Sequence, residues 1–198
     1  MAAGVALIAG LGNPGAEYDD TRHNVGFWLV DALAAKCGER FKREAKFHGE
    51  ACRVDLGGQP VWLLKPLTFM NRSGQSIGAL ATFYKIAPAQ VLVVHDELDL
   101  PAGTVKFKRG GGHGGHNGLR SIMDVLATPE FWRLRFGIGH PGDKSKVVDY
   151  VLHAPSRDDR AAIEARFSDV IDVLPLAAAG ETERAMNRLH AVKKAVAE

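Results

Sequence analysis

The stretch Val5-Ala-Leu-Ile-Ala-Gly-Leu-Gly-Asn-Pro-Gly15 joins a short apolar run to a glycine-containing loop. The run Val5–Gly10 is typical of a buried strand, because a strand covered on both faces is apolar throughout. A second run of this kind, Val91–Val94, follows later in the chain. If the two strands are parallel, their carboxyl ends open on the same side of the sheet, where open α/β sheets bind ligands. This pair of strands therefore predicts both the fold class and the position of the site.

Strand-like and helix-like segments alternate as far as about residue 140, and helical patterns close the chain. The predicted strands are Val5–Gly10, Glu50–Leu56, Val61–Lys65, Val91–Val94, Thr104–Lys108 and Arg133–Gly139. The predicted helices are one that follows Asn24 and stops before Gly38, then Ser76–Ile86, Leu119–Leu126 with Asn117 as its cap, Lys146–Leu152, Arg157–Leu174 and Glu181–Val196. This order favours an α/β fold with a mixed, mostly parallel central sheet surrounded by helices. With no linker or repeat, residues 1–198 are predicted to form a single catalytic domain.

Length and composition are those of a globular protein: 198 residues, 46% hydrophobic and 24% charged, with a net charge of +2. No apolar run approaches the ~18 residues that a membrane-spanning helix needs. The two cysteines are too few for a disulfide framework or a zinc site, which favours a reducing compartment. The first residues include no basic stretch typical of a secretory signal. We therefore expect a cytoplasmic protein without a membrane partner.

The first glycine loop contains Gly10-x-Gly12-x-x-Gly15, a spacing that also occurs in dinucleotide-binding loops. In those loops a helix opens at the last glycine, and an acid lies at the end of the next strand. Here Pro14 interrupts the motif, and helical periodicity begins only at Val25. A nucleotide-binding oxidoreductase is therefore kept as an alternative function.

His23 and Asp96 are the candidate acid–base pair, because each follows one of the two buried strands. A carboxylate on one imidazole nitrogen fixes the tautomer and stabilises the imidazolium, while the other nitrogen acts as a general base. No nucleophile motif is present, so the base is expected to activate water. His95, Asp96, His113 and His116 are possible metal ligands, but the His113-x-x-His116 spacing lies in a glycine loop, and we expect neither a metal nor a cofactor.

The most distinctive stretch is Lys-Phe-Lys-Arg-Gly-Gly-Gly-His-Gly-Gly-His-Asn-Gly-Leu-Arg, residues 106–120, with six glycines between Gly110 and Gly118. Residues 106–146 carry eight basic and three acidic side chains, an excess that indicates contact with phosphates or nucleic acid. A non-catalytic RNA-binding module is therefore the second alternative, although no common RNA-module signature is present.

A third cluster, Lys65–Gly74, follows a predicted strand, and its Asn71 is a candidate to hydrogen-bond a carbonyl or a base.

Four long motifs resemble the bacterial-type peptidyl-tRNA hydrolase family. They are GLGNPGAEYDDTRHNVGF, KPLTFMNRSG, VLVVHDELDLPAGTVKFKRGGGHGGHNGLRSI and RLRFGIGHPGD, and the resemblance runs from about residue 5 to residue 153. It implies an enzyme that hydrolyses the ester between a peptide and the terminal ribose of tRNA, recycling tRNA released prematurely from ribosomes. It also implies a cytoplasmic, metal-independent monomer whose partner is peptidyl-tRNA.

The resemblance also implies roles for individual residues. In the catalytic set, His23 matches the base, Asp96 its carboxylate partner, and Asn13 the residue that helps to distinguish N-blocked peptidyl-tRNA from free aminoacyl-tRNA. The positions that match substrate contacts are Tyr18, Phe69, Asn71 and Asn117, with His116 beside the last of these. The positions that match contacts to tRNA phosphates are Lys106, Lys108, Arg135 and Lys144.

Overall fold

The computed structural model of the chain describes residues 2–196. Its strands are β1 (Leu7–Gly10), β2 (Lys42–Glu44), β3 (Gly49–Leu56), β4 (Gln59–Pro66), β5 (Val91–Glu97), β6 (Val105–Arg109) and β7 (Trp132–Gly137). Its helices are α1 (Val25–Lys36), α2 (Ser73–Phe83), α3 (Asn117–Leu126), α4 (Val147–Val151), α5 (Arg157–Glu164), α6 (Phe167–Ala178) and α7 (Thr182–Val196). None of the helices described has the length and hydrophobicity that crossing a bilayer requires.

The strands form one sheet in the order β2-β3-β4-β1-β5-β7-β6. The four central strands pair in parallel, β1 with β4 and with β5, and β5 with β7. The pairings β2–β3, β3–β4 and β6–β7 are antiparallel and lie toward the two edges. The predicted mixed α/β sheet surrounded by helices is confirmed. The expectation that it is mostly parallel is wrong, because three of the six pairings among the described residues are antiparallel. The parallel part lies at the centre, and antiparallel pairings lie on both sides. The predicted domain, residues 1–198, includes 1, 197 and 198, which lie outside the described residues.

Both faces of the sheet are covered by apolar side chains. On one face, residues of α1, α6 and α7 pack with Ile8, Leu63 and Leu134. On the other face, residues of α2 and α3 pack with Leu7 and Val93. Burial on both sides explains why the central strands have continuous apolar sequences instead of alternating ones.

Several element boundaries differ from the sequence-based prediction for identifiable reasons. The edge strand β2 has the polar sequence Lys-Arg-Glu and so lacks the apolar alternation that indicates a strand. Helix α2 ends at Phe83, because the chain takes a positive φ of 55° at Lys85. The predicted helix Arg157–Leu174 is two helices, and Arg166 secures the turn between them by bonding Asp169 and the carbonyl of Gly103.

The end of β1 and the start of α1 approach each other very closely. A Cβ on Gly26 would lie 2.3 Å from the backbone nitrogen of Leu11 and 2.4 Å from the carbonyl oxygen of Val94. A Cβ on Gly10 would lie 2.2 Å from the carbonyl oxygen of Gly26. Only glycine permits such contact between backbones, so the amino end of α1 rests directly on the carboxyl ends of β1 and β5. The turn that precedes α1 is thereby brought to the end of β5.

Candidate active site

His23 and Asp96 are in direct contact at the end of the sheet. His23 lies in a 3₁₀ turn, Arg22–Asn24, immediately before α1. Strand β5 continues beyond the predicted Val91–Val94, so Asp96 lies within the strand and not in the loop after it. The Nδ1 atom of His23 is 2.8 Å from Oδ2 of Asp96, so it carries the proton and donates to the carboxylate. The Nε2 atom of His23 is left without a protein partner among the described residues, and its ring lines a cavity.

His116 binds the other oxygen of the same carboxylate. Its Nδ1 accepts hydrogen bonds from the backbone N–H groups of Gly118 and Leu119, at 3.1 and 3.3 Å. Because Nδ1 is an acceptor, the proton of a neutral His116 is on Nε2, which donates to Oδ1 of Asp96 at 2.8 Å. The Asp96 carboxylate therefore receives one N–H from each of two imidazoles, and both rings are held in defined orientations.

The electrostatics of this pair favour an ionised carboxylate. Burial alone would raise the pKa of Asp96, but His23 and His116 outweigh it and hold that pKa well below its usual range. Burial also disfavours the imidazolium of His23, yet the charge of Asp96 and its hydrogen bond raise the pKa of His23 above its ordinary value of 6.5. A buried carboxylate that stays charged is suited to stabilising a positive charge that forms on His23.

His95 is a fully buried histidine beside this pair. Its Nδ1 donates to the backbone carbonyl of Asp96 at 2.8 Å, and its ring packs edge-on against His116 with centroids 5.2 Å apart. Burial, with the neighbouring His116 and Arg133, lowers the pKa of His95 to about 3, so the ring is neutral at physiological pH. Its Nε2 is buried without a partner among the described residues. Because its ring is neutral, His95 adds no positive charge that would compete with His23 for the carboxylate of Asp96.

Asn13 is held rigidly at the start of the first glycine loop. Its backbone N–H donates to Oδ1 of Asn24 at 2.9 Å, and Nδ2 of Asn24 donates to its carbonyl at 3.0 Å. Its side-chain oxygen accepts the N–H of Met70 at 2.7 Å. The Nδ2 amide of Asn13 has no protein partner among the described residues, so its donors are left for a ligand in the cavity that this residue lines.

Phe69 and Asn71 form another side of the cavity. Phe69 is 53% exposed and has φ 58°, ψ 155°, a strained conformation for a residue with a side chain. Such strain is concentrated at functional sites, where the surrounding structure enforces it. Tyr18 lies outside the cavity lining, and its ring contacts Phe69 edge-on with centroids 6.3 Å apart.

The second glycine loop, residues 110–118, runs along the same cavity and leads into α3. Asn117 was predicted to cap this helix, but it is the first helical residue, and His116 is the cap through its Nδ1. The imidazole thus performs the capping task that an asparagine side chain often performs. Asn117 is exposed and lines the cavity with its side chain free for a ligand.

The basic residues of segment 106–146 occupy different environments. Lys108, Arg135 and Lys144 line the cavity, whereas Lys106 is exposed on β6 outside it. Arg135 is paired with Glu97 at 2.8 Å. Arg133 is buried, so it does not contribute to an exposed basic surface as its position in the segment suggested.

The cavity has a volume of about 870 Å³, in the range of sites that enclose a sizeable ligand. His23, Asp96 and His116 offer ligand atoms within 4.8 Å of one another, which is close enough for a metal ion. In the structure those atoms bond to each other through protons on both imidazoles, and a metal would have to replace both protons.

The first glycine loop opens no helix at Gly15, since α1 begins only at Val25, so the geometry of a dinucleotide loop is not formed.

The sequence does not reveal the roles of three contributors to the site: Asn24, His95 and Arg133. Asn24 stands beside His23, but nothing in a single sequence shows that its amide bonds both backbone groups of Asn13. His95 adjoins Asp96, and only the register of β5 shows that it is fully buried. Arg133 belongs to the basic segment 106–146, and composition does not reveal that it is buried.

Comparison with known proteins gives concordant results. A model of the family described as peptidyl-tRNA hydrolase matches residues 7–197. A protein named peptidyl-tRNA hydrolase from Halorhodospira halophila is 55% identical over 93% of this chain and 95% of its own length. One of the same name from Neisseria meningitidis is 54% identical over 96% and 99%. A crystal structure of peptidyl-tRNA hydrolase from Acinetobacter baumannii superimposes with a TM-score of 0.92 at 46% identity, covering 96% of each chain.

Proposed function

Because the chain belongs to the peptidyl-tRNA hydrolase family, and is thereby an enzyme that hydrolyses peptidyl-tRNA, we propose that it does so by general-base catalysis with His23 as the base. One observation carries this proposal. His23 donates from Nδ1 to the buried carboxylate of Asp96 at 2.8 Å, while its Nε2 has no protein partner among the described residues and its ring lines the cavity. This is the arrangement that general-base activation of water requires.

In the proposed reaction, Nε2 of His23 takes a proton from a water molecule as the water oxygen bonds to the ester carbonyl carbon. The carbonyl electrons move to its oxygen, giving a tetrahedral intermediate. When the intermediate collapses, the bond between this carbon and the ribose oxygen breaks, and the imidazolium returns its proton to that oxygen. Asp96 stays ionised throughout and stabilises the positive charge on His23.

The developing oxyanion needs hydrogen-bond donors in the same cavity. The exposed amides of Asn71 and Asn117 are the donors that we propose for it. Asn13 offers Nδ2 to the peptide part of the substrate and distinguishes N-blocked from free aminoacyl groups. Amides recognise the N–H and C=O groups that every peptide has, so they are independent of its sequence.

The tRNA part is proposed to bind through phosphates. Lys108, Arg135 and Lys144 line one side of the cavity, and Lys106 lies next to them on the exposed edge strand β6. Phosphates are the same in every tRNA, so contacts to them do not depend on the amino acid attached. Tyr18 supports Phe69 at the opposite side, where the substrate's apolar groups are expected to lie.

The reaction class is tested with an N-acetylated aminoacyl-tRNA and its unblocked counterpart, each incubated with the enzyme in the presence and absence of a chelator. We expect rapid release of tRNA from the blocked substrate alone, at the same rate in chelator, because the proposed base is an imidazole that needs no metal. Loss of activity in chelator would assign His23, Asp96 and His116 to a metal instead. Equal hydrolysis of both substrates would contradict the role of Asn13.

The proposed binding of phosphates predicts a change in the salt dependence of tRNA affinity. In a Lys106→Ala/Lys108→Ala variant, the slope of log K against log salt should become shallower. The change should be about 0.9 for each duplex phosphate that is no longer neutralised, or about 0.7 for each phosphate of a single strand. A matched control is Lys42→Ala/Arg43→Ala, which removes two exposed charges from β2 at the opposite edge of the sheet. An unchanged slope in the first variant, or equal changes in both, would refute the assignment.

Membership of this family argues against the two alternatives, and each of them would give a different experimental result. A nucleotide-binding oxidoreductase would bind a nicotinamide dinucleotide tightly, detectable by fluorescence of Trp28, Trp62 or Trp132. A non-catalytic RNA-binding module would bind tRNA without turnover. We further propose that the enzyme acts as a cytoplasmic monomer without metal or cofactor. Cell fractionation tests its location, sedimentation of the purified protein tests its oligomeric state, and metal analysis tests its metal content.

A further inference from the structure

The middle of the glycine loop has few contacts with the rest of the protein. Its start is held by the N–H of Gly110, which bonds the carbonyl of Phe131, and its end by His116. A Cβ on Gly112, Gly114 or Gly115 would meet nothing within 4 Å, so the backbone there has open space around it. Ordering a glycine-rich segment costs more conformational entropy than ordering any other, so an ordered loop needs a specific contact.

That contact comes from Arg133 on β7. Its Nη1 donates to the carbonyl of Gly112 at 2.7 Å, and its Nη2 donates to the carbonyls of Gly111 and Pro129 at 2.8 and 3.1 Å. Between Gly110 and His116, the bonds from Arg133 to Gly111 and Gly112 are the only hydrogen bonds among the described residues that connect the loop to another part of the chain. The Arg133 residue is 2% exposed, its guanidinium lies on the ring of Phe131, and it lines the cavity.

The geometry of these hydrogen bonds explains why residue 133 is an arginine. A planar guanidinium directs several N–H groups in fixed directions and can bind two successive carbonyls at once. A lysine has the same charge on one nitrogen atom and cannot reproduce the fork. Among the described residues no carboxylate forms an ion pair with Arg133. Its Nη1 and Nη2 atoms bond backbone carbonyls, and its Nε is buried without a partner.

We propose that Arg133 is a positioning residue that fixes the glycine loop along the cavity, so that substrate binding depends on it and proton transfer by His23 does not. Its position within a basic segment suggests a phosphate contact, but its burial and its carbonyl partners assign it to the loop. The expected change in KM rests on the proposed function. The expected loss of order in the glycine loop is independent of it.

The test compares Arg133→Lys with Arg166→Lys in the full-length enzyme. Arg166 is a matched control, because it is also largely buried and donates to a glycine carbonyl, that of Gly103, yet does not line the cavity. For Arg133→Lys we expect KM for N-acetyl-aminoacyl-tRNA to rise about tenfold, the effect of losing one hydrogen bond from a charged group, with kcat within about twofold of the parent value. Arg133→Gln should give the same pattern, so the result does not depend on one substitution.

Backbone amide exchange of the substrate-free protein supplies a readout that needs no activity. In Arg133→Lys, exchange should accelerate at Gly115 and His116, whose N–H groups are hydrogen-bonded within the loop, while amides of Val91–Val94 in the central strand keep their protection. Unchanged exchange in the loop, or a fall in kcat with unchanged KM, would overturn the inference. Faster exchange in β5 as well would mean that Arg133 only stabilises the fold. Absence of turnover in the parent enzyme would instead contradict the proposed function and leave the exchange result standing.

Discussion

Replacing His23 with alanine is expected to lower kcat for N-blocked aminoacyl-tRNA by about 10²–10⁴-fold, the range that general-base assistance contributes. The substitution removes the imidazole nitrogen that the site offers to an attacking water molecule. The side chain of His23 makes no hydrogen bond besides that to Asp96 among the described residues, so the fold and tRNA affinity should be preserved. Single-turnover kinetics with saturating enzyme measure the chemical step separately from binding.

The control for this variant is His153→Ala, which removes a side chain that is 65% exposed and does not line the cavity. It should have the activity of the parent enzyme. If His23→Ala retains activity within a few fold of the parent while it binds tRNA normally, His23 is not the base, and the proposed mechanism is wrong.

Asp96→Asn is expected to lower kcat by about 10²-fold or more and to change its pH dependence. The neutral amide no longer stabilises the imidazolium, and it can present either a donor or an acceptor to Nδ1 of His23, so the productive tautomer is no longer enforced. Burial remains as the main influence on His23 and disfavours the charged ring, so the pKa of His23 falls.

The direction of the pH shift follows from the protonation state that catalysis needs. His23 acts as a base only when neutral, so activity increases as pH rises through its pKa, and a lower pKa moves this limb to lower pH. Profiles of kcat/KM for the parent enzyme and Asp96→Asn measure the shift. Asp99→Asn is the matched control, since it removes the same charge from an exposed residue of the same cavity. If the acidic limb of the kcat/KM profile lies at the same pH in Asp96→Asn as in the parent enzyme, the pairing of His23 with Asp96 is contradicted.

The sequence predicted the central architecture because buried parallel strands have a strong signal. The runs Val5–Ala9 and Val91–Val94 are apolar without interruption, and helical and strand-like segments lie between them. If β1 and β5 are parallel, their carboxyl ends lie at one end of the sheet. This single condition places His23 and Asp96 on the same side. Their hydrogen bond then follows from the close approach of Gly26 to Leu11, which no periodicity indicates.

Other parts of the site could not be predicted, because they depend on tertiary packing. Nothing in the sequence distinguishes the buried Arg133 from the exposed Lys108, although both belong to one basic segment. The cap of α3 was assigned to Asn117 from residue preference, and the fold gives that task to His116, whose second nitrogen is needed by Asp96. The two ring nitrogens of His116 allow it to cap α3 and to bond Asp96 at the same time.

The separation of 73 positions between His23 and Asp96 has a consequence for the biosynthesis of the enzyme. While it is being translated, this protein is itself esterified to tRNA, and so contains the linkage that its family cleaves. The carboxylate lies close to the midpoint of 198 residues, and it meets the imidazole only after a non-local strand pairing has formed. An incomplete chain that ends before Asp96 therefore lacks one partner of the proposed catalytic pair.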